Sequence, residues 1–224
     1  LFAEHVYGKV PKAAKATEIS YELLESSANA LDGTATRKQV RVFLLGDTDG
    51  PFMDVLIYLP NNRKAAAPLF VGHNFYGNHT IVDDPAVRLS ESWVRNNENF
   101  NISNNKATEA SRGVRTHRWP LRDILERGYG VATIYYGDID PDDNGNFDNG
   151  IHPYFYADGQ THPAPDEWGA IAAWAWGLSR ALDYFATDAE INENQVAVMG
   201  HSRLGKTSLW AGAMDERFAL VISN

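Results

Sequence analysis

The sequence contains no cysteine and only three methionines in 224 residues. Without a thiol there is no thiolate nucleophile, no cysteine-held zinc and no disulfide. The compartment stays open on this ground, because a chain of this length can bury enough core without covalent cross-links. Long apolar runs are also missing. The longest nearly uncharged stretch, 169–178, falls well short of the roughly 18 residues that suggest a membrane span. Positive charge is in deficit, with 20 Lys and Arg against 29 Asp and Glu and a net charge of −9. An acidic chain offers no broad basic face to a phosphate backbone, so neither nucleic acid nor membrane is expected as a partner. The chain starts at Leu1 without the apolar core of a signal peptide. What remains is ordinary globular usage, 44% apolar and 22% charged, which excludes disorder and fibrous repeats.

Short runs rich in Val, Ile, Leu and Tyr, bounded by Gly, Pro, Asn or Asp, predict strands at 39–45, 54–59, 69–71, 130–136, 195–199 and 218–223. The turn-rich stretch 46–53, with Gly50-Pro51, suits an antiparallel hairpin between the first two. The later strands alternate with helix signals, which favours a parallel sheet with helices on its faces. Ile171, Trp174, Ala175, Leu178, Leu182 and Phe185 recur at helical spacing and predict a helix over 167–186, with Asp166 as its cap. Core packing is therefore the expectation for Trp168, Trp174 and Trp176. A shorter helix is predicted at 121–127, between Pro120 and Gly128, and another over 204–214. Residues 75–119 are too long for an ordinary connection and read as a functional excursion with some helix around 85–95.

The chemistry concentrates in Gly200-His201-Ser202-Arg203-Leu204-Gly205-Lys206-Thr207, between an apolar strand and a helix. Two unrelated readings fit. In one, Ser202 sits on a nucleophile elbow, a sharp strand-to-helix turn that lifts its hydroxyl above the sheet. The helix start then offers N–H groups to a developing oxyanion. Glycine follows the serine three residues later, at Gly205, where the general elbow has it two residues later; Leu204 fills that place. In the other, the same residues satisfy the phosphate-cradling pattern G-x-x-x-x-G-K-[ST], with Lys206 on phosphates and Thr207 on magnesium. Element order favours the elbow: a hairpin start, then strands and helices in alternation, with the serine after the fifth core strand, as in an α/β-hydrolase. Gly177-Leu178-Ser179-Arg180 repeats the local pattern inside a predicted helix, so the flanking elements, not the spacing, give Ser202 its weight.

Gly-His-Ser-Arg-Leu-Gly-Lys resembles the elbow of the glucuronoyl esterases, the fifteenth carbohydrate esterase family, whose pattern Gly-x-Ser-Arg-x-Gly-Lys places glycine where this chain has it. Asn74-Phe75-Tyr76-Gly77-Asn78-His79, Arg118-Trp119-Pro120, the run from Tyr136 to Asp142, and Trp210 to Phe218 are similar to the bacterial branch. The resemblance spans about 70–224. It implies a three-layer α/β-hydrolase sandwich acting as a serine carboxylesterase, with no metal or cofactor. It also implies roles: Ser202 as nucleophile, Arg203 on the oxyanion and Lys206 on hydroxyls of the glucuronoyl ring. The implied substrate is the ester between (4-O-methyl-)glucuronic acid on xylan and a lignin alcohol, cleaved through an acyl-enzyme, by a secreted or periplasmic enzyme. An acetyl-xylan or other sugar-ester hydrolase, a phosphate-loop nucleotide-binding protein and a catalytically dead carbohydrate-binding relative remain as alternatives.

A serine hydrolase of this order takes its acid and then its histidine after the nucleophile. None of the seven histidines lies beyond Ser202, and the later carboxylates, Asp215 and Glu216, suit the end of the helix. The expectation is a single domain over 1–224, hairpin start at about 37–60 and elbow at 200–205, forming the N-terminal portion of a longer enzyme. Further motifs carry less. The run Asp140-Pro141-Asp142-Asp143-Asn144-Gly145 begins like a calcium loop, but Ile151 stands where a bidentate Glu is needed, so a solvated acidic loop is expected. Asn74, after the third strand, is a candidate to help the oxyanion or to hold its own turn. Packing is expected for His201, and exposure in a groove-side loop for His152 and His162.

Overall fold

The computed structural model describes residues 1–143 and 146–224. Seven strands form one sheet in the order β1-β2-β3-β5-β4-β6-β7: β1 Ser20–Asn29, β2 Ala35–Phe43, β3 Phe52–Pro60, β4 Ala67–Asn74, β5 Gly130–Tyr135, β6 Ile191–Gly200 and β7 Leu220–Ser223. β1, β2 and β3 pair antiparallel, β3 runs antiparallel to β5, and β5, β4, β6 and β7 are parallel. The hairpin from β2 to β3 closes with Phe43 opposite Phe52 and Leu44 N–H donating to Pro51 O.

Period-two alternation assigns the faces. Val55, Ile57 and Leu59 of β3, with Ala132 and Ile134 of β5, enter the larger core. Leu56, Tyr58 and Val131 turn to the other face. Three main helices follow: α1 Leu121–Glu126, α2 Ala170–Phe185 and α3 Arg203–Met214. Leu121 and Leu125 of α1 cover the smaller face, while α2 and α3 pack side by side over the larger one. Trp168 and Trp174 are fully buried and Trp176 nearly so, as packing requires.

One strand is additional and three local expectations are corrected. β1 was not foreseen: it is an edge strand, largely exposed, with a bulge between Leu23 and Glu25 that breaks its alternation. No helix forms at 85–95. Side chains reaching from elsewhere satisfy that backbone instead: Gln39 Nε2 donates to Ala86 O, Arg88 N–H donates to Gln39 Oε1, and Arg112 donates to Asp84 O and Val87 O. Arg37, buried on β2, clamps the same segment through Asp84 while holding Glu25. Asp166 does not cap α2, which starts at Gly169 without a side-chain cap; Asp166 pairs with Lys9 at 3.0 Å. Asp140 is not solvated but 2% exposed, and His152 is fully buried beside it.

Candidate active site at the strand-to-helix turn

His201 and Ser202 alone join β6 to α3. Ser202 has φ 58° and ψ −126°, a conformation that L residues avoid and that survives only where the surroundings enforce it. Here the adjacent strand does so. Ser202 N–H donates to Asn224 O at 2.7 Å, and Asn224 N–H donates to Gly200 O at 3.1 Å. Lys206 N–H then closes the first turn of α3 onto Ser202 O at 3.1 Å.

Space explains the glycines. A Cβ on Gly200 would lie 2.1 Å from Leu204 O, and one on Gly205 would lie 2.8 Å from Ser223 Oγ and 3.0 Å from Asn224 O. One on Gly212, further along α3, would meet Val221 Cγ2 at 2.3 Å. The helix therefore makes its close approach to β7 along the Gly205–Gly212 face, while Leu204 turns into the core at 1% exposure. That geometry accounts for a glycine three residues after the serine instead of two.

Ser202, Arg203 and Lys206 are all exposed at the C-terminal edge of the sheet. The Arg203 backbone N–H, at the first position of α3, has no acceptor within the helix and is available to a ligand. Its guanidinium pairs with the Asp142 carboxylate, which also lies 3.6 Å from Arg95 Nη2. Thr207 is buried and its hydroxyl donates to Arg203 O at 3.0 Å. With Thr207 at 0% exposure its hydroxyl oxygen does not face the surface where a nucleotide-bound magnesium would sit, which counts against the phosphate-loop reading.

Three histidines, His73, His79 and His152, are buried. His73 Nε2 lies 2.9 Å from Trp174 O and Nδ1 3.3 Å from Ile134 O, and burial lowers its pKa to about 4. His79 Nε2 meets Ser111 Oγ at 2.8 Å. Because the Ser111 hydroxyl donates to Thr108 O, His79 is the donor in that contact, the reverse of nucleophile activation. Burial, helped by the Arg112 charge, lowers its pKa to about 4. His152 Nε2 stands 3.0 Å from Asp140 Oδ2, close but misaligned for a hydrogen bond. His162 is exposed in its loop and touches Thr161. His201 is exposed, not packed, and lines a cavity of about 270 Å³ with His73, Asn74, Arg115, Arg118 and Trp119. The Asn74 side chain is spent on its own loop: Nδ2 donates to Asn78 Oδ1 and Thr133 Oγ1, and Oδ1 accepts from Gly77 N–H at 2.7 Å.

Two features of the acidic run escaped sequence reasoning. Asp138 is pushed up to about 7 by burial and by the charge of Asp54. It accepts from the Ser92 hydroxyl at 2.6 Å and from Asp54 N–H at 3.1 Å, tying the ends of β3 and β5 together. Asp142 faces Arg203 across 61 residues of sequence, a separation no local pattern signals. Asn144 and Gly145, part of the calcium-like run, lie outside the described residues.

A mixed sheet of this order, with a serine at positive φ in the two-residue turn between β6 and α3, defines the class: an α/β-hydrolase fold. Comparison with known proteins narrows it. A family model described as "Glucuronyl esterase, fungi" matches residues 121–224. Carbohydrate esterase MZ0003, from an unknown prokaryotic organism, is 54% identical over the whole chain and 51% of its own length. The promiscuous CE15 esterase from a marine bacterial metagenome superposes with a TM-score of 0.87 at 54% identity, over 100% of this chain and 55% of that one. The glucuronoyl esterase from Solibacter usitatus gives 0.87 at 44% identity, over 97% and 54%. In sequence and in fold the chain is thus related to the CE15 glucuronoyl esterases. It spans about half the length of MZ0003.

Proposed function

We propose that the protein is a serine carboxylesterase that cleaves the ester between (4-O-methyl-)glucuronic acid on xylan and a lignin alcohol. The observation that carries this reading is the exposed Ser202 at φ 58° and ψ −126°, where a strand-to-helix turn presents its hydroxyl. Ser202 attacks the ester carbonyl, the alcohol leaves, and water hydrolyses the acyl-enzyme to release glucuronate. The Arg203 backbone N–H and guanidinium stabilise the oxyanion with charge-assisted donors. Lys206, one helical turn on, reaches ring hydroxyls; a cation pair of this kind suits a polar sugar acid better than a greasy acyl chain. The relationship to glucuronoyl esterases supports the substrate class. The reaction also needs a general base at Ser202. His73, His79 and His152 are buried against other partners, so the reading places base and acid in residues of the complete enzyme other than these. Secretion or periplasmic export fits a polymeric substrate.

The test is alcohol release from a benzyl ester of glucuronic acid by the full-length protein. Ser202→Ala should abolish turnover while leaving the fold intact by circular dichroism. Activity on acetylated xylan with none on the glucuronate ester would transfer the assignment to the acetyl esterases. Sugar binding without turnover by the wild type would mark a dead relative.

A further inference from the structure

We propose that Asp142 is a positioning residue for Arg203, one that aims its guanidinium and offsets its charge against the acidic product. This inference rests on the esterase reading above. The loop that carries Asp142 is built for the purpose. Its base is clamped where Ile151 N–H donates to Ile139 O at 2.8 Å and Trp174 Nε1–H donates to Asp140 O at 2.9 Å. Asp140, buried against His152, accepts from Asp142 N–H at 3.0 Å, and Asp142 takes a left-handed backbone with φ 55°. From there its carboxylate meets Arg203, while Arg95 holds the Asp142 carbonyl and lies 3.6 Å from its carboxylate.

A carboxylate beside an oxyanion-stabilising cation carries a cost, because it weakens the field at the reacting carbon. Two properties offset that cost. An exposed arginine has many rotamers, and a fixed partner narrows them before substrate arrives. The substrate is a neutral ester and the product an anion. An uncompensated Arg203, with Lys206 nearby, would hold glucuronate more tightly than the ester it came from. Asp142 supplies the counter-charge that lets the product leave.

The experiment is steady-state kinetics of the full-length enzyme with Asp142→Asn, Asp142→Glu and Ser202→Ala, using a benzyl glucuronate ester and free glucuronate as inhibitor. Asparagine tolerates the left-handed backbone and keeps an acceptor, so the loop should fold, checked by thermal melting. We expect D142N to lower kcat roughly 10-fold with little change in KM. The inhibition constant for glucuronate should fall about threefold, more at low ionic strength. D142E should restore the wild-type inhibition constant. Wild-type kcat and glucuronate inhibition in D142N, with S202A inactive, would overturn the role of Asp142 alone. Retained turnover by S202A would overturn the esterase reading and this inference with it.

Discussion

Gly200→Ala tests how the backbone of Ser202, the proposed nucleophile, is held. The added Cβ would sit 2.1 Å from Leu204 O, 2.5 Å from Leu204 C and 2.6 Å from Ser208 Oγ. The first two are backbone atoms of α3, so relief requires the helix start to move by about 1 Å. Overpacking of this kind costs up to about 3 kcal/mol, and a 1 Å displacement of a reacting group costs roughly 100-fold in rate. Gly205→Ala makes an instructive partner. Its closest contacts are 2.8 Å to a serine hydroxyl that can rotate, 3.0 Å to Asn224 O and 3.2 Å to Gly200 O, a strain of about 2 kcal/mol that the better helix propensity of alanine, about 1 kcal/mol, offsets only in part. The expected ranking is a large loss of stability for G200A and a smaller but measurable one for G205A, read as urea midpoints at constant m-value. Esterase assays on the full-length protein should follow, with kcat down about 100-fold for G200A. A G200A protein with the wild-type midpoint and kcat within about twofold would refute the packing argument for the elbow.

Other consequences follow from buried charge. Arg37→Leu leaves Glu25 and Asp84 without their shared cation and should cost about 3 kcal/mol; limited proteolysis should then cut first within 82–95, and a protease-resistant variant would count against the clamp. The native state keeps His73 and His79 neutral, with pKa values of about 4 against 6.5 for a free imidazole. The unfolded chain therefore binds the extra protons, and stability present above pH 6.5 is lost as pH falls towards 4, by roughly 3 kcal/mol for each group. Urea titrations at pH 7 and 4.5 should show a shallower pH dependence for His79→Gln than for the wild type; identical slopes would sink the assignment.

The sequence made legible what local pattern controls. Apolar runs bounded by turn residues located β2 to β7, and helical spacing located α2; β2 to β6 and α2 bury a face of their own, while β7 is legible from its apolar run alone. The elbow was legible because strand, serine and helix are contiguous. β1 was not: it lies at an edge, so both its faces tolerate polar residues, and the bulge after Leu23 puts Leu24 out of phase. Residues 85–95 misled because their backbone partners, Gln39 and Arg112, come from other parts of the chain. The same holds for Asp140 with His152 and for Asp142 with Arg203. Such pairs are made by the fold and have no signature in the residues beside them.

The bonds between β7 and the turn carry one further consequence. Ser202 borrows its unusual backbone from Asn224, and Ser223 and Asn224 leave little room for a side chain at Gly205. β7 thus works as a splint: seating that strand and setting the backbone of Ser202 are one event. A population in which β7 has come away from β6 would keep its tryptophan core while the serine turn loses the bonds that hold it. On the esterase reading proposed above, loss of turnover on mild warming would report separation of β7 from β6 ahead of global unfolding.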